Sequence, residues 1–126
     1  MKVLSILSTG YRATLEEQDD TVLWISQAMQ RAGADLDLLL RASAANYVVE
    51  SQKVVPLSIG ARTQRNAPDL HGQVRDLAAG GATIFVLRED VERYGLTDRP
   101  RFIQAQVVGA GDLAALLPAY DQIWHW

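Results

Sequence analysis

Two arginines, Arg12 and Arg41, an amide, Asn46, and two adjacent carboxylates, Glu89 and Asp90, are the side chains of this sequence best placed for chemistry on a small anion. A guanidinium offers a planar fork that matches a carboxylate or an oxyanion. A carboxylate within hydrogen-bond reach of a substrate can serve as a general base. All five follow apolar runs that read as strands: Ser8-Thr9-Gly10-Tyr11-Arg12 after the first, Arg41, Ser43 and Asn46 after the second, and Arg88-Glu89-Asp90 after the third. In an open parallel sheet the ligand crevice lies beyond the carboxyl ends of the strands, so these are the positions to inspect. Taken singly, polar residues there are also what loops and helix caps require, and the arginines could instead pair with Glu16, Glu17 or Asp20 at the surface.

Other chemistries lack their residues. The chain has no cysteine, which excludes a disulfide framework, a thiolate zinc site, an iron–sulfur centre and a catalytic thiol. Fifteen Asp and Glu against twelve Lys and Arg give a net charge of −3, with no polybasic run to meet a phosphate backbone, so nucleic acid is not an expected partner. Gly10 stands alone after its strand without the glycines of a dinucleotide fingerprint, and Gly109-Ala110-Gly111 reads as a turn that leaves Asp112 to cap a helix. Ser58, in Leu57-Ser58-Ile59-Gly60, lacks the first glycine of a nucleophile elbow. His71 and His125 belong to no metal spacing. His71 reads as solvent-facing in the first turn of its helix, and His125, between Trp124 and Trp126, as part of a packed or interfacial strand. The acidic group Glu16, Glu17, Asp19 and Asp20 suits the start of a helix better than a cation. Neither a metal nor a cofactor is expected.

The elements that must position these residues alternate. Lys2 to Leu7 is a short buried strand, and the stripe Val22, Ile25, Met29 and Ala32, with a capping box at Thr14 and Glu17, predicts a helix from about Leu15 to Ala32. Leu36 to Leu40 is the second strand. Ser43 is expected to cap a short helix from Ala44 to about Val49, after which residues 51–60 read as irregular and Arg62 to Asn66 as polar loop. A helix opened around Asn66 and Pro68 carries Leu70, Val74, Leu77 and Ala78 and stops at Gly80 and Gly81. Thr83 to Leu87 is a strand. One or two helical turns begin at Glu89 or Asp90 and end at Gly95. Gln104 to Val108 is a fourth strand, Asp112 begins a helix with Leu113, Leu116, Leu117 and Tyr120, and Ile123 to Trp126 closes a fifth. This alternation predicts a single α/β domain over residues 1–126: a three-layer α/β/α sandwich with a mostly parallel five-stranded sheet. The apolar start is broken by Ser5 and Ser8 and reads as strand rather than leader, and no run approaches the length of a membrane helix; a cytoplasmic protein without membrane contact is expected.

In element order and local strings the chain resembles the DsrE/DsrF-like sulfur-relay family. The most specific part is Phe85-Val86-Leu87-Arg88-Glu89-Asp90-Val91-Glu92-Arg93-Tyr94-Gly95-Leu96. In sulfur-carrying members a cysteine stands between this strand and the Gly-Leu pair; here the position holds Asp90, and a carboxylate cannot carry a persulfide. The resemblance therefore implies the fold and its crevice without sulfur transfer. Two functions fit: a binding or assembly protein taking a small anion at Arg12, Arg41, Asn46 and Asp90, or an enzyme with Asp90 or Glu89 as general base. The resemblance also implies a homo-oligomer, a trimer or hexamer. Trp124 and Trp126 point the same way, because a monomer would struggle to cover two indoles on a short terminal strand unless both packed on the last helix around Leu117 and Tyr120.

Overall fold

A computed structural model describes residues 1–11, 20–50, 55–102 and 104–126. Its elements in chain order are β1 (Lys2–Leu7), α1 (Thr21–Arg31), β2 (Asp35–Leu40), a 3-10 helix (Ala42–Val48), β3 (Ser58–Ile59), β4 (Arg62–Thr63), α2 (Leu70–Ala79), β5 (Ile84–Leu87), α3 (Arg88–Arg93), β6 (Gln106–Val108), α4 (Ala110–Leu116), a 3-10 turn (Leu117–Ala119) and β7 (Gln122–His125). Five strands form one sheet in the order β6-β5-β2-β1-β7, and every neighbouring pair is parallel. The expected α/β architecture is what the chain adopts. Among the described residues no helix is long and apolar enough to cross a membrane.

The strand order decides which face each helix covers. From β1 through β2 and β5 to β6 the chain moves in one direction, so right-handed crossovers put α1, the first 3-10 helix, α2 and α3 on one face; the return from β6 to β7 reverses direction and puts α4 on the other. Two cores result. Val3, Leu7, Leu38, Leu40, Ile84 and Val86 pack with Val22, Leu23, Leu70, Val74 and Leu77 on the first face. Leu4, Ile6, Leu39 and Phe85 meet Leu113, Leu116, Leu117 and Tyr120 on the second. That second layer is thin: α4 has seven residues and none is fully buried.

Several boundaries differ from the expectation for identifiable reasons. α1 starts at Thr21 rather than Leu15, because Asp20 is extended and caps the helix, its Oδ1 accepting from the amides of Val22 and Leu23 at 2.9 and 3.3 Å. Thr14 and Glu17 lie outside the described residues. Ser43 caps nothing; its hydroxyl accepts from the Gly10 amide at 2.8 Å, and the 3-10 helix begins at Ala42. Residues 58–63, read as irregular chain and polar loop, form an antiparallel hairpin, Ser58 opposite Thr63 and Ile59 opposite Arg62. Its turn residue Gly60 has φ 59°, the left-handed conformation that glycine takes freely. Asp112 sits in the first turn of α4 and not ahead of it, its carboxylate accepting from the Gly109 amide at 3.2 Å.

Candidate functional site

The loops leaving β1, β2 and β5 meet at the carboxyl edge of the sheet, and backbone geometry there is unusual. Tyr11 and Ala42 are the only non-glycine residues with positive φ among those described, at 62° and 46°. Strained residues of this kind persist only where their surroundings hold them. Each one is held through its amide. The Tyr11 N–H donates to the hydroxyl of the fully buried Tyr47, and the Ala42 N–H donates to Asp90 Oδ2 at 2.8 Å. The loop after β1 also runs so close to the 3-10 helix that a Cβ on Gly10 would stand 3.0 Å from the Ser43 carbonyl oxygen and 3.2 Å from the Ala44 Cα. Only glycine fits that approach without a shift of the backbone.

Behind this edge lies a buried polar chain that the sequence did not suggest. The Tyr47 hydroxyl donates to Asp20 Oδ2 at 2.7 Å, the Asp20 amide donates to Gln73 Oε1 at 3.2 Å, and Gln27 Nε2 donates to the Gln73 carbonyl at 3.1 Å. Burial first, then the bond to the Asp20 carboxylate, pushes the Tyr47 phenol well above its ordinary range, so it remains a proton donor. His71 is a correction: it is buried, with Nδ1 3.1 Å from the Tyr47 carbonyl oxygen and its ring edge-on to Phe102. Helix α2 turns that face inward because Leu70 and Val74 flank it on the core side. These residues tie the strand-end loops to α1 and α2, a task for which no local motif exists in the sequence.

The predicted site residues are brought together in part. Asp90 is buried on α3, and Arg41 reaches it with Nε 3.8 Å from Oδ2, beyond hydrogen-bond distance. That Nε is buried without a hydrogen-bond partner among the described residues, while the Arg41 side chain as a whole is 39% exposed. Asn46 donates from Nδ2 to the Ser43 carbonyl at 2.9 Å. It also lines a groove of about 550 Å³ with Tyr94, Leu96 and Arg99, one turn of α3 beyond Asp90. Arg12 lies outside the described residues, as do Glu16, Glu17 and Asp19. Asp20, considered as a surface partner for the arginines, is buried and bonded to Tyr47. The Glu89 carboxylate is bonded at the start of α4: its two oxygens accept from the Ala110 amide at 3.0 and 3.2 Å. That bond and one from its own amide hold the Glu89 carboxyl below its ordinary range.

At β7, Ser8 Oγ lies 2.7 Å from His125 Nε2, and Trp126 Nε1 donates to Ser5 Oγ at 3.1 Å. Neither indole packs on the last helix. Trp124 leans on the core of the opposite face, while Trp126 stays 39% exposed and Ile123 45%. Among the described residues no group of three or more His, Asp or Glu could hold a metal ion.

No protein-family model matches the chain, and no curated protein matches it. Among solved structures, the ychN protein from E. coli superimposes with a TM-score of 0.74 over 100% of both chains at 14% sequence identity. At that identity the likeness establishes the fold.

Proposed function

We propose that the chain is a non-catalytic small-ligand-binding or assembly protein on a DsrE/DsrF-like domain, without sulfur transfer of its own. One observation carries this reading. At the position where the resemblance expects a thiol stands Asp90, buried, its Oδ2 already committed to the Ala42 amide and faced by Arg41. A carboxylate so engaged is a brace for the turn after β2. The same geometry speaks against Asp90 as general base, and the lowered proton affinity of Glu89 makes it a weak one. Incubation with a persulfide donor followed by intact-mass measurement is expected to show no sulfur adduct; a stable gain of one sulfur atom would overturn the proposal.

The ligand we assign to the crevice is a small anion held by Arg41, with Arg12 and Asn46 as the other candidate donors. Support comes from the Arg41 Nε, which is buried yet has no hydrogen-bond partner among the described residues, beside two loops locked in strained conformations. A charge-assisted bond contributes about 1.5 to 3 kcal/mol, so Arg41→Ala is expected to weaken binding about tenfold to a hundredfold. Calorimetric titration of sulfite, thiosulfate and small carboxylates into both proteins reads this. Equal and negligible heats would remove the ligand and leave assembly alone.

Assembly as a homo-oligomer, trimer or hexamer, completes the reading, supported by the exposed Ile123 on the edge strand β7 and the exposed Trp126 just after it. A cytoplasmic setting belongs to the same proposal. Light scattering is expected to give a multiple of the 13.9 kDa chain mass. A monomer at micromolar concentration would sink this part.

A further inference from the structure

The hairpin of β3 and β4 leaves its apolar side chains without cover. Val55 is 80% exposed, Ile59 79% and Leu57 44%, three large aliphatic residues within five positions. Both two-residue strands are exposed along their whole length. The hairpin is closed by its own bonds: the Gln64 amide to the Leu57 carbonyl at 2.7 Å, and Ser58 Oγ to Thr63 Oγ1 at 2.9 Å. Isolated two-stranded hairpins are at best marginally stable in water, and clustered exposed aliphatics mark contact surfaces. We propose that this hairpin is a docking arm that seats on the body of a second copy of the same chain.

Charge selects that occupant and the manner of docking. From Val55 to Pro68 the only charged residues are Arg62 and Arg65, whereas all fifteen Asp and Glu lie outside the arm with ten of the twelve Lys and Arg. A cationic arm thus meets an acidic body in its own sister chain. Two arms facing each other would set four arginines together, which disfavours a self-complementary arm-to-arm contact. The contact is therefore arm to body, a head-to-tail arrangement that repeats around a closed ring.

The inference rests on the homo-oligomer proposed above, and the experiment separates the two. The wild-type chain and a Val55→Asp, Ile59→Asp double variant are compared by light scattering and sedimentation. Both positions are solvent-facing in the single chain, so unchanged far-ultraviolet circular dichroism is expected. Each substitution removes a buried aliphatic side chain from the contact and should lower association about tenfold to a hundredfold, giving a smaller species. A variant that keeps the wild-type oligomeric mass overturns the arm and leaves the oligomer standing. A monomeric wild type overturns both. Tighter association on reversing Arg62 and Arg65 to glutamate would overturn the arm-to-body arrangement.

Discussion

An Asp37→Ala chain is expected to lose about 3 kcal/mol of folding stability, because buried groups that relied on the carboxylate are left unpaired. Asp37 sits in β2 on the thinly covered face, opposite Leu4 of β1 and two positions before Leu39 on the same face. Its Oδ1 accepts from the Thr83 amide at 2.6 Å; its Oδ2 accepts from the Tyr120 hydroxyl at 2.6 Å and lies 3.1 Å from Lys2 Nζ. Burial alone would raise the carboxyl, but these three partners outweigh it and hold the group below its ordinary value of 3.8. The sign of the pH dependence follows. A carboxyl lowered by folding contributes its full stabilisation above 3.8 and loses it as pH falls through the folded value. Urea unfolding of the wild type and variant should therefore show a gap at neutral pH that narrows in acid. A gap under about 1 kcal/mol at pH 7 would mean that Asp37 is no anchor.

Tyr47→Phe is the second large effect, about 2 to 3 kcal/mol. The phenyl ring keeps the edge-on contact with Tyr11, whose ring centroid is 5.2 Å away. Only the hydroxyl disappears. Among the described residues Asp20 Oδ2 then loses its donor, and the bond from the amide of the left-handed Tyr11 to the Tyr47 hydroxyl is lost. Hydrogen exchange is the sharper readout, since the Tyr11 amide should exchange faster than in the wild type by a larger factor than amides in β2. Equal acceleration across the molecule would indicate general loosening instead.

Periodicity and local chemistry made the sheet legible, and long-range contacts hid much of the site. Alternation of apolar runs with 3.6-residue stripes was enough for five strands and for the helices around Val22 and Val74, since these patterns are local. Asp90 was singled out from its place after the third strand, and it is buried beside Arg41. Tyr47 and Gln73 carry no signal in the sequence, and Asp20 reads there as a surface acid, because their bonds span 27 to 53 positions and no short spacing announces them. His71 was misplaced for a related reason: one polar residue beside Leu70 and Val74 reads as outward-facing until the partner carbonyl of Tyr47, 24 positions away, is known. The hairpin at 58–63 was missed because two-residue strands are too short to show alternation.

The strand order also sets a schedule for synthesis. β1 has β2 on one side, with Lys2 opposite Asp35, and β7 on the other, with Val3 opposite Gln122. The first contact can form once residues 35–40 have left the ribosome, whereas the second must wait for residues 122–125. Until then the run Lys2–Leu7 stands at the rim of a partial sheet with its outer amides and carbonyls unpaired. Addition of the last strand turns β1 from a rim into an interior strand, and premature termination before residue 122 would leave an adhesive nascent fragment.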